Sequence, residues 1–207
     1  DIIRIETVAM KFGRFDFAAF ALFMAYAACS LAVPVVLVEL ARDLDFALES
    51  GGMSKGGALQ LGRSIPMVAA MLCSGFVAAR FGLRRTLGAA ALLMSAGIIL
   101  AALSPWYGML FLVLILSGFG EGWVEGLGTP LVQELHVNDE PGRYINFTHA
   151  FWSIGIFLLV PVIGLLLWLG VSWRLVVVGV GVLTLAPAAM LLLPGRIRLE
   201  RLEGSGS

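Results

Sequence analysis

Between Phe15 and Leu193 the chain is built from apolar runs of about 20 residues or more, the length a helix needs to cross the hydrocarbon core of a bilayer. The six runs are Phe15 to Leu40, Ala58 to Ala79, Thr86 to Leu103, Tyr107 to Leu135, Arg143 to Leu169 and Leu175 to Leu193. Short polar turns separate them. Of the 207 residues, 59% are hydrophobic and 14% charged, against about 25% charged in a soluble domain. Such a chain cannot cover its surface with polar groups, so its solvent is largely lipid. The expected fold class is all-α: a polytopic membrane protein of six transmembrane helices, with no length left for a separate soluble domain.

Residues 1–14 read as a cytoplasmic N-terminal segment, 15–194 as the six-helix bundle and 195–207 as a cytoplasmic tail. The Gly204-Ser205-Gly206-Ser207 end reads as an appended scar and is kept out of the fold reasoning. Six spans put both termini on one side. That side collects Arg4, Lys11, Arg14, Arg80, Arg84, Arg85, Arg143, Arg196, Arg198 and Arg201, while the other holds only Arg42, Lys55, Arg63 and Arg174. The excess places both termini in the cytoplasm. The expected location is a plasma membrane, that of a bacterial inner membrane.

Local signals refine the spans. Pro34 should kink or unwind the first one, which lipid tolerates only where neighbours satisfy the freed backbone. Residues 41–57, with Arg42, Asp43, Asp45, Glu49 and the pairs Gly51-Gly52 and Gly56-Gly57, are expected to form the longest loop, exposed and mobile. A second polar turn runs from His136 through Asn138, Asp139, Glu140 and Pro141 to Gly142. Cys29 and Cys73 lie in different apolar segments and read as buried free thiols without metal-type spacing.

Polar groups inside the spans carry the functional argument, because a carboxylate near mid-membrane costs about 2.5–3.5 kcal/mol on insertion scales. Glu121, Glu125 and Thr129 recur at every fourth residue and are expected to form one stripe. Gly118, Gly122 and Gly126 sit beside that stripe in a pattern suited to close helix packing. Asn146, His149 and Ser153 share one face of the next span. At 1.5 Å per residue Glu125 and His149 both reach depths of roughly 10–15 Å, so a contact between them is geometrically allowed.

Each residue has a plainer reading. Glu125 can be a protonated structural carboxylate, and His149 a packed histidine donating to a carbonyl or a group that titrates with Glu125. Asn146 can bond a solute hydroxyl or glue two helices. Trp152 can stack on a sugar ring or simply pack. Arg63, near the outer end of its span, can snorkel or, with Glu39, line a cavity mouth. Glu39 and Glu134 read as solvated span ends. No nucleophile set, phosphate loop or metal cluster emerges, so no enzyme activity and no cofactor are expected. The zero formal net charge gives no support for a nucleic-acid partner.

Two stretches carry a resemblance. Gly75-Phe76-Val77-Ala78-Ala79-Arg80-Phe81-Gly82-Leu83-Arg84-Arg85-Thr86-Leu87 resembles the signature loop of the major facilitator superfamily, G-x-L-A-D-R-x-G-R-R-x-x-L. Gly75, Ala78, Arg80, Gly82, Arg84, Arg85 and Leu87 match it. Gly75 is expected to permit close helix approach, Gly82 a tight turn, and the arginines bonds to helix C-terminal carbonyls and carboxylates. Ala79 stands where the family usually has the Asp that helps latch its two halves, which puts such a latch in doubt. The arginines then either gate or only enforce orientation.

The second stretch is similar to the fucose-permease branch, where the fourth span reads like G-x-G-x-G-x-x-E-x-x-x-N-P and the fifth begins L-N-x-x-[HQ]-x-F. Gly118, Gly120, Gly122, Glu125, Pro130, Asn146, His149, Phe151 and Gly155 carry that similarity, and Thr129 replaces the usual Asn. The Trp173-Arg174 pair is also common in the superfamily. The resemblance implies a role for Glu125 in sugar binding and proton coupling, and gives none to Glu121, which is an extra charge. It also implies twelve spans in two six-helix halves with the solute between them. This chain corresponds to the N-terminal half. Its implied partners are a small polar solute such as a sugar, a proton, the lipid bilayer and a second six-helix half, in a homodimer or as a separate C-terminal half, unless the chain is a truncated transporter. The competing reading is a six-helix scaffold or accessory subunit that transports nothing.

Overall fold

A computed structural model describes residues 10–46, 48, 51–138 and 142–194. Arg4, Glu49, the Asp139-Glu140-Pro141 turn, the tail arginines Arg196, Arg198 and Arg201, and the glycine-serine end lie outside the described residues. Among the described residues eight α-helices follow one another: α1 (Arg14–Val35), α2 (Leu37–Asp43), α3 (Gly52–Phe81), α4 (Leu83–Ala102), α5 (Tyr107–Leu135), α6 (Arg143–Trp168), α7 (Trp173–Leu183) and α8 (Leu185–Leu192). Among the described residues there is no strand. Among the described residues six helical stretches are long and apolar enough to cross a membrane, α7 and α8 together making the sixth. The apolar pattern and the observed architecture agree.

The interruptions fall at prolines. Pro34 offers no N–H and crowds the carbonyl four residues back, and the first span breaks at Val36 into α1 and α2. Ser30 meanwhile donates to the Ala27 carbonyl (3.0 Å). The sixth span breaks at Thr184, three residues before Pro187, a division that the sequence reading missed. Thr184 donates its hydroxyl to the Val180 carbonyl (2.9 Å) and lies 3.2 Å from the buried Cys29 thiol. Cys73, by contrast, is exposed on α3 rather than buried.

The expected long loop is shorter than residues 41–57. α2 continues to Asp43, and α3 begins at Gly52 instead of Ala58. Gly51, with φ at +90°, supplies the left-handed residue that starts α3, so Gly56 and Gly57 fall inside the helix. Phe46 is buried and meets Tyr107 edge to face, so this connection is not simply an exposed loop.

α1 and α5 hold the bundle together. α5 packs against α3 on one side and α4 on the other, while α1 touches α5, α6, α7 and α8. The Gly118, Gly122 and Gly126 stripe explains the closeness of α3 and α5. A methyl group at these positions would run into the Arg63 carbonyl, the Met67 carbonyl and Ser74 respectively. Gly75 does not act this way, because nothing lies within 4 Å of where its Cβ would be. It is exposed on the surface of α3. Of an apolar 18-residue stretch of α1, 61% of the residues are buried, whereas in α3 and α6 the share is only 11% each. The two flanking helices therefore present most of their surface outward.

Arginines tie the helix ends. Gly82 (φ +85°) makes the tight turn between α3 and α4 and accepts the Thr86 hydroxyl (3.0 Å). At this end Arg14 donates to the Met190 and Pro194 carbonyls, and Arg84 to Leu193, all at the end of α8. Arg84 thus makes the carbonyl bond expected from the turn, while Arg80 and Arg85 are exposed. At the opposite end Asp43 accepts from Arg174 (2.8 and 3.1 Å) and from the Trp173 indole (3.2 Å). Arg174 also donates to the Ala102 and Ser104 carbonyls. That cluster joins α2 to the ends of α4 and α7.

Candidate functional site

The polar groups of α5 do not form one stripe. Four residues on a helix advance by about 40° beyond a full turn, so Glu121, Glu125 and Thr129 slew around it. Glu121 turns inward and is fully buried. Glu125, the next turn along, is exposed, and Thr129 is half-buried.

Around Glu121 the environment is closed. Its Oε2 accepts from Arg63 Nη1 of α3, and its Oε1 accepts from the Ser117 hydroxyl (3.0 Å), one turn back on α5. Arg63 is 7% exposed. It therefore does not snorkel to the span end as its position suggests, because the glycine stripe brings α5 close enough to offer it a buried carboxylate. The Arg63 Nε is the only buried side-chain polar atom without a partner among the described residues. Ser117 was missed by the sequence reading, although it sits four residues before Glu121, a spacing that was available as a signal.

Around Glu125 the environment is open. Asn146, His149 and Ser153, which share one face of α6, are all exposed, and so is Trp152 beside them. Thr129 Oγ1 and His149 Nε2 lie 2.9 Å apart, and the imidazole rests against the Phe23 ring of α1 at 4.7 Å between centroids. The allowed contact of His149 with Glu125 is thus replaced by one with Thr129. Tyr26 of α1, absent from the sequence reading, lies next to Glu125 and within electrostatic range of Glu121 and Arg63. Phe151 turns away to stack on Phe20 of α1 at 4.4 Å, which fixes the rotation of α6 and so the direction of its polar face. At 1.5 Å per residue Glu125 is about 15 Å from the end of α5, which is membrane depth.

A third polar cluster closes the end of the bundle that carries Gly82. Asp16 of α1 and His136, just past α5, lie 2.6 Å apart, and Tyr144 of α6 stacks on the imidazole. Asp16 also accepts the Gly13 N–H (2.8 Å), and the Tyr144 hydroxyl accepts the Lys11 N–H (3.1 Å). Glu39 and Glu134 are exposed, as expected of span ends, with Glu39 paired to Arg42 at 3.0 Å. Among the described residues no group of His, Cys, Asp and Glu has the arrangement of a metal site.

The sequence profile of the Major Facilitator Superfamily matches residues 18–205. A search of curated proteins finds no match. Among solved structures, the fold is similar to the proton:xylose symporter XylE bound to 6-bromo-6-deoxy-D-glucose, with a TM-score of 0.75 and 18% identity over 86% of this chain and 43% of that one. It is likewise similar to the inward-open xylose transporter XylE from E. coli, with a TM-score of 0.74 and 19% identity over 85% of this chain and 46% of that one. The chain spans less than half the length of these transporters.

Proposed function

The chain belongs to the major facilitator superfamily, and from that premise we propose that it is one six-helix half of a proton-coupled secondary transporter for a small polar solute, most simply a sugar. It is an integral membrane protein with six spans. The observation that carries the proposal is Glu125, a carboxylate at membrane depth that is exposed instead of sealed. Such a group is expensive against lipid. A second six-helix half laid over this face, either another copy or a separate C-terminal half, would enclose it together with Asn146, His149, Thr129 and Trp152.

In this reading Glu125 takes up the proton, and its charge state sets the affinity of the face for solute. Asn146 and the Thr129–His149 pair offer donors and acceptors to hydroxyls. Trp152 offers an aromatic ring to the C–H face of a sugar. Glu121, neutralised by Arg63, positions α5 without joining the exchange. The two halves rock about the enclosed face. The match with a proton:xylose symporter supports both the solute class and the coupling ion. The fucose-permease motif around Glu125 supports the same assignment. The arginine excess at the Gly82 end supports placing that end, and both termini, in the cytoplasm of a bacterial inner membrane. Arg80, Arg84 and Arg85 then border the cytoplasmic turn, where they gate or orient.

Two measurements test the reading. Light scattering of the detergent-solubilised particle, corrected for bound detergent, should give a dimer if two copies build the cavity, and a monomer if the other half is a separate chain. Proteoliposomes of the assembled particle should then take up labelled D-xylose faster under an inward proton gradient, and Glu125→Gln should abolish the effect of the gradient. Uptake at background in both proteins would favour the scaffold reading.

A further inference from the structure

Glu125 is exposed, yet the side chain that meets it from α1 is not. Tyr26 is 7% exposed, and its hydroxyl is within hydrogen-bonding reach of the Glu125 carboxylate. The register of the two helices places it there independently. α1 and α5 are antiparallel, since Asp16 at the start of α1 meets His136 just past the end of α5. Phe23 fills the space that a Cβ on Gly128 would take. One turn further toward the opposite end, Tyr26 on α1 comes level with Glu125 on α5. One turn beyond that, Cys29 lies within electrostatic range of Glu121 and Arg63, so the same register continues.

The other titratable and polar groups around Glu125 are engaged elsewhere. Arg63 of α3 and Ser117 hold Glu121, and Ser74 of α3 donates to the Met71 carbonyl. His149 of α6 bonds Thr129, and the Cys29 thiol lies against Thr184. A buried phenol usually finds a partner for its hydroxyl, and here the carboxylate is at hand. We propose that Tyr26 is the positioning residue of the Glu125 site: its O–H donates to one carboxyl oxygen in both charge states, and the second oxygen is left to take up and release the proton on the exposed face. A phenol suits the task because it gives up its proton only in strongly alkaline solution, so it donates without competing for the transported proton. The inference rests on the proton-accepting role proposed for Glu125 and adds how that carboxyl is held.

The test is infrared spectroscopy of the full chain in detergent, recorded as an acid-minus-alkaline difference. Subtracting the spectrum of Glu125→Gln isolates the C=O band of protonated Glu125. A hydrogen bond accepted by a carbonyl lowers its stretching frequency, so Tyr26→Phe should move this band to higher frequency. A ring-fluorinated tyrosine in place of Tyr26 is a stronger donor of nearly the same shape. It should move the band lower, and it carries the test alone where the phenylalanine variant does not fold. A merely structural role for Tyr26 would not produce shifts of opposite sign. A Glu125 band that neither replacement moves, or that both move the same way, would overturn the inference alone. No Glu125 band at all would overturn the proton-accepting role and this inference with it. Uptake is a separate readout: wild-type proteoliposomes at background would count against transport, while the opposite band shifts would still place Tyr26 on Glu125.

Discussion

Two carboxylates one helical turn apart on α5 meet the same solvent problem in opposite ways. Glu121 is enclosed, with an arginine and a serine hydroxyl on its two oxygens. Glu125 is left on an exposed face about 6 Å further along the helix. Both oxygens of the first find partners within this chain, and the second, under the proposed function, is completed by a second half. A buried ion pair is weak evidence of function, since its charges neutralise each other. An uncovered carboxylate in a membrane helix is stronger evidence, because burial by a partner, protonation or a solute must account for it. In the proposed reading, the pairing separates a residue that holds α5 in place from a residue that serves the transported solute and proton.

The comparison can be broken most forcefully at Glu121. Glu121→Gln leaves the Arg63 charge buried and uncompensated, which should cost about 3–5 kcal/mol and appear as a large drop in thermal stability in detergent. An unchanged melting temperature would mean that the pair is not what holds α5 to α3. Next in size, Gly122→Ala should cost about 1–3 kcal/mol through overpacking, because its Cβ meets the Met67 carbonyl. The same change at Gly75, which faces open space, should cost nothing measurable or stabilise α3 slightly.

Smaller effects sharpen the other side. Thr129→Val removes the bond to His149, worth about 0.5–1.5 kcal/mol. It should weaken solute binding by roughly tenfold or less, read by titration of the assembled particle. Smallest of all in stability is Glu125→Gln, which should lie within about 0.5 kcal/mol of wild type even though proton-driven uptake is lost. If Glu125→Gln melted as far down as Glu121→Gln, the division of labour between the two would collapse.

The six-span architecture was legible because apolar length alone dictates it, and Pro34 announced the first break. The face of α6 was also legible, since Asn146, His149 and Ser153 share it at helical spacing and the structure leaves all three exposed. The split fates of Glu121 and Glu125 were not. Spacing puts them on neighbouring turns, and it takes the close approach of Gly118, Gly122 and Gly126 to α3 to decide that the rotation between them buries one and leaves the other exposed. Arg63 shows the same limit, because its distance from the span end suggested water and its neighbour across the glycine contact supplied a carboxylate. Asp16 and His136 lie 120 residues apart, and no local pattern pairs them.

The two arginine clusters bear on the first span in a way that neither does alone. Arg14 fastens one tip of it to α8, and Asp43 fastens the other to α4 and α7 through Arg174. Between the tips lies the joint at Val36. A strut pinned at both ends and jointed near one of them cannot slide; it yields by bowing. Movement of the first span should therefore change the width of the bundle beside Pro34 and Leu37, while both rims of the bundle keep their shape.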